Sequence, residues 1–138
     1  MKKVALAVLC VLYALPVSAN PPQESPETKY DRDGGRLIGV YKLSLGDSCT
    51  TPRKFVGTIV KVEGDYPDLT VYVRDRRGLS SVEVSVEGLS MADLGNLYHY
   101  ILSKGKRVRI DAYACGTGII SQARDIISLN QTAPKRRK

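Results

Sequence analysis

Between Phe55 and Leu129 the apolar residues change their period twice, and no other feature limits the fold as tightly. They alternate one by one through three short runs. Val56, Thr58, Val60 and Val62 share one face, then Leu69, Val71 and Val73, then Val82, Val84 and Val86, the period of half-buried strands. The opposite face of the third run, Ser81, Glu83, Ser85 and Glu87, is that of a solvated surface. The connections Glu63–Asp68 and Asp75–Gly78 carry the glycine or proline that hairpin loops use. The period then lengthens: Leu94, Leu97, Tyr98, Ile101 and Leu102 form one helical stripe, with Ser90 as N-cap, Asp93 three residues on, and Gly105 as the stop. Alternation returns with Val108, Ile110, Ala112 and Ala114. Gly116-Thr117-Gly118 turns the chain into a last strand, Ile119–Leu129. The element order is β-β-β-α-β-β.

The flanks differ in character. Residues 1–19 read as a secretory signal: Lys2 and Lys3, an apolar run from Val4 to Leu15, Pro16, and a small-residue site at Val17-Ser18-Ala19. The run is too short to span a bilayer, and Leu9 before Cys10 disfavours a lipid anchor. With the signal removed, no membrane span is expected, and the location is periplasmic or secreted. Residues 20–35, rich in proline, glycine and charge, are expected to form a disordered arm. Residues 36–130 make the folded domain, within which Arg36–Leu45 fits either an extra strand or a helical turn. The basic end 131–138, closing in Pro134-Lys-Arg-Arg-Lys138, reads as a solvated tail. Loss of Lys2 and Lys3 takes the formal charge from +7 to +5. Such a surplus favours anionic partners or simply aids solubility.

Removal of the signal leaves two cysteines, Cys49 and Cys115, in an oxidising compartment, and the pair is expected to form a disulfide. Closing a loop of that length stabilises the fold by roughly 4 kcal/mol on a chain-entropy basis. Two cysteines with His99 as the sole histidine are too few for a metal site, and no cofactor is expected. Catalysis finds little purchase. No G-x-S-x-G elbow accompanies His99, and Gly116-Thr117-Gly118 is followed by neither a lysine nor a helix start, as a phosphate loop requires. Arg74, Asp75, Arg76 and Arg77 are the one charged cluster, which a hairpin tip explains equally well.

This order of elements resembles the oligonucleotide/oligosaccharide-binding (OB) fold, a mainly β, five-stranded Greek-key barrel with one amphipathic helix between strands three and four. Two exported bacterial groups share that plan. The chain is similar to the periplasmic bacterial OB-fold family in its signal, polar arm and single small barrel. It is similar to the B subunits of pentameric enterotoxins in that Cys49 and Cys115 would join the segment before strand one to the end of the strand after the helix. It has no tryptophan, the residue that commonly stacks on a sugar. The resemblance implies a ligand surface across strands two and three, bounded by the loops between strands one and two and strands four and five. That surface would offer Tyr72, Arg74, Arg76 and Arg77, flanked by Tyr66 and by Gly116 and Thr117. The expected protein is a non-enzymatic binder of a glycan, an anionic polymer or a protein partner. An oligomeric glycan-binding subunit is the alternative, and an exported single-stranded nucleic-acid binder is less favoured, because outward aromatics are few.

Overall fold

The computed structural model describes residues 24–32 and 34–130, so the expected signal at 1–19 and the tail at 131–138 lie outside the described residues. Strands β1 (Glu27–Tyr30), β2 (Leu37–Tyr41), β3 (Cys49–Asp65), β4 (Asp68–Arg74) and β5 (Leu79–Ser85) precede helix α1 (Met91–Tyr100). Strands β6 (Arg107–Cys115) and β7 (Ile120–Ser128) follow it. The protein is mainly β. Its sheet closes on itself: β3 pairs with β4, β4 with β5, β5 with β7 in parallel, β7 with β6, and β6 with β3. β2 adds to β7, and β1 adds to β2 at the open edge.

The expected alternation places the core correctly in β4, β5 and β6. Leu69, Val71, Val73, Val82, Val84, Val86, Val108, Ile110 and Ala112 are all buried in one cluster, which Leu94, Leu97, Ile101 and Leu102 of the helical segment join. Tyr98, expected in that stripe, is 40% exposed. Ser90 caps the helix, its hydroxyl accepting from the Asp93 amide at 3.1 Å.

Three expectations need correcting. In β3 the inward residues are Phe55, Gly57 and Ile59, while Val56 and Thr58 face out. Apolar residues occur on both faces of this strand, so its alternation does not reveal which face is buried. A bulge between Ile59 and Lys61 then shifts the register, and Val62 packs against the core as expected. The strand also begins at Cys49 rather than Phe55. Its exposed first turn of sequence, Cys-Thr-Thr-Pro-Arg-Lys, has no apolar rhythm and is ordered by the ladder with β6. Finally, part of the expected disordered arm is strand β1, because the neighbouring edge of β2 supplies its backbone partners.

Arg36–Leu45 resolves as strand β2 and its exit. Lys42 has φ 56° and its amide donates to Asp125 Oδ1 at 3.0 Å, which turns Leu43 into the core. The disulfide Cys49–Cys115 is present, joining the first rung of the β3–β6 ladder.

Candidate functional site

β3 is long enough to serve two neighbours, and the site lies where it passes from one to the other. Its first part pairs with β6 and its last part with β4. Thr58 is paired with both, opposite Arg107 on one side and Arg74 on the other. Directly paired residues share a sheet face with Cβ atoms about 5 Å apart. Arg74, Thr58 and Arg107 thus stand in a row on the outer face, the two arginines roughly 10 Å from each other. The crossing requires Gly57. A Cβ there would lie 2.4 Å from the Arg74 carbonyl oxygen and 2.8 Å from Val73 Cγ1.

The β4–β5 turn adds the remaining charges. Asp75 folds the turn back on itself: its Oδ1 accepts from the Arg77 amide at 2.7 Å and the Gly78 amide at 3.0 Å, and its own amide donates to Gly78 O at 3.0 Å. Gly78, at φ 141°, allows the reversal. With the carboxylate turned to backbone amides, Arg76 and Arg77 project into solvent. The result is an open groove of about 530 Å³ lined by Val56, Gly57, Thr58, Asp75 and the four arginines 74, 76, 77 and 107. None of these arginines makes an ion pair among the described residues. By contrast, the cleft beside β2 sets Lys42 and Arg124 among Glu27, Asp125, Tyr41 and Tyr113, and there Lys42 is paired with Glu27 at 2.5 Å.

Chemically the groove gathers four guanidinium groups on one open surface. Guanidinium groups are charged at every physiological pH and grip planar or tetrahedral oxyanions through paired N–H donors. Among the described residues no group of three or more His, Cys, Asp or Glu side chains is placed to hold a metal ion. No described helix is long and apolar enough to cross a membrane.

Compared with known families, curated proteins and solved structures, the chain matches none.

Of the residues expected to form a ligand surface, Arg74, Arg76 and Arg77 come together in the groove. Tyr66 does not. It sits 59% exposed at the β3–β4 turn, where Asp65 pairs with Asp68, the far end of β4 from Arg74 and about 20 Å away along the strand. Tyr72 lies on the outer face with Lys61 Nζ 5.8 Å from its ring centroid. Its hydroxyl is hydrogen-bonded to Glu63, which raises the phenol above its ordinary value. Glu63 is itself ion-paired with Lys61, and that contact is the main cause of its lowered carboxyl pKa. Tyr72 is thereby committed to neighbours on its own sheet. Gly116 and Thr117 belong to the β6–β7 turn beside the disulfide, where Arg53 donates to Ser121 Oγ at 3.0 Å, and neither lines the groove. The residue missed was Arg107. It reads correctly as outward on its strand, but only the double pairing of Thr58 brings it to Arg74, and that pairing joins elements far apart in the chain.

Proposed function

We propose that this protein is an exported, non-enzymatic binding module of the OB class that holds an anionic partner in the arginine groove. The observation carrying the reading is four arginines that, among the described residues, have no ion pair and converge on one open groove whose only described carboxylate is turned to backbone amides. The OB assignment is supported by the order in which the strands join around the ring, β3-β4-β5-β7-β6, and by the helix between β5 and β6. Export is supported by the leader-like residues 1–19 and the disulfide.

The test is retention of the oxidised mature protein on anionic and neutral polymer matrices at rising salt. Retention on the anionic matrix, lost steeply with salt and abolished in Arg76→Glu/Arg77→Glu, is the expected result. Equal retention on the neutral matrix would sink the reading.

A second reading, the glycan-binding subunit of a ring-shaped assembly, is favoured by one observation: the disulfide joins the start of β3 to the end of the strand after the helix. Light scattering separates the two, since a monomer removes the ring.

A further inference from the structure

We infer that the groove takes a short stretch of glycan carrying sulfate or phosphate ester groups. This rests on the binding reading above and names its ligand class. Among the described residues all four cations lining the groove are arginine and none is lysine. Lysine serves a diffuse negative surface as well as arginine does, whereas the guanidinium fork matches two oxygens of one tetrahedral anion. Arg74 and Arg107 flank Thr58, with Arg76 and Arg77 beyond them on the turn, so the charges form a path rather than a single cup. A ligand with recurring anionic groups engages several of them; one with a single charge engages one.

The floor argues against nucleic acid, and a sugar would be held there by its ester groups rather than by ring stacking. Sequence-tolerant nucleic-acid grooves alternate cations with aromatic faces on which bases stack, and among the described residues no aromatic side chain lines this groove. Tyr72, the outward aromatic of β4, is occupied by Lys61 and Glu63. The floor consists of Val56, which is 39% exposed, Gly57 and the Thr58 hydroxyl. That low strip gives a sugar ring a small apolar contact and one hydroxyl partner without demanding a planar guest.

The test is calorimetric titration of the full oxidised mature chain with a sulfated heparin hexasaccharide, the same hexasaccharide desulfated, a phosphorylated oligosaccharide and a single-stranded oligonucleotide of equal charge. The sulfated sugar is expected to bind at least about tenfold more tightly than the desulfated one and than the oligonucleotide. Arg74→Lys/Arg107→Lys, which keeps the charge and removes the fork, is expected to weaken it about tenfold, while Thr117→Ala leaves it unchanged. Thermal unfolding of each variant, matched to the parent, excludes misfolding. The two ester sources separate by pH: sulfate binding stays flat, whereas phosphate binding strengthens as pH rises through about 6, where the second proton leaves. If the oligonucleotide binds as tightly as the sulfated sugar and is equally sensitive to the arginines, the glycan class is wrong and the anion groove stands. If the sulfated sugar binds but Arg76→Glu/Arg77→Glu does not weaken it, the groove is not the site and both readings fall.

Discussion

Gly57 shows how one missing side chain can set up a site. Its neighbours Arg74 O and Val73 Cγ1 leave no room for a methyl group, so Gly57→Ala must push β3 away from β4 at the point where the groove forms. The expected cost is about 2 kcal/mol, read as a lowered urea midpoint, and weaker anion retention should accompany it. A variant as stable as the parent would show that β3 and β4 tolerate separation. From sequence alone this residue carries no such meaning. A glycine inside an alternating run suggests a bulge or a close approach, but the approaching atom belongs to Arg74, and only the register identifies it. Arg76 and Arg77 were legible because turn chemistry places them at a hairpin tip. Tyr66 and Tyr72 lie apart from the arginine groove, which was not legible because sequence position on a strand or turn says nothing about which end of the ladder a residue meets.

At the level of elements, the helix start and the edge strand are one unit. Ser90 Oγ donates to Asp93 Oδ2 at 2.9 Å, and Asp93 Oδ1 accepts from the Tyr30 hydroxyl, which also accepts from Asn96 Nδ2 at 3.2 Å. The aspartate of the first helical turn thus also anchors β1, a strand whose only ladder among the described residues is with β2. Tyr30→Phe is expected to cost about 1 kcal/mol, and hydrogen exchange should speed up in residues 27–30 more than elsewhere. The bond to Asp93 raises the Tyr30 phenol above its ordinary 10. The fold favours the protonated form, so this contribution is complete below pH 10 and fades as pH climbs through the raised value. Urea midpoints of parent and Tyr30→Phe should differ at neutral pH and draw together as pH climbs past the ordinary phenol range. A constant gap would mean the hydroxyl does not act through its proton. Periodicity revealed the helix and its cap readily. It could not reveal β1, whose residues Glu-Thr-Lys-Tyr carry no buried stripe and owe their order to a partner elsewhere in the chain.

For the whole molecule, the disulfide and the double ladder of β3 determine how the ring holds together. Cys49–Cys115 closes a separation of 66 residues, so Cys49→Ala/Cys115→Ala is expected to lower stability by about 4 kcal/mol on the chain-entropy view, measured by urea unfolding. The arginine groove should persist wherever that variant remains folded, because Thr58 lies at the other end of the β3–β6 ladder. Loss of the groove in a folded variant would tie the two together. The seven-strand order, with β5 meeting β7 in parallel at Glu83 and Gln122, was the least legible feature, since parallel contact across the helix leaves no local mark. Thr58 belongs to both ladders, so its flanking arginines become neighbours only once β4 and β6 have both docked on β3. A copy in which β6 has not docked keeps the hairpin arginines together but lacks Arg107 and the floor between them. A guest spanning both arginines would favour the chain with β4 and β6 docked over every state without them, and so would act as a clasp across the two seams that form its own berth.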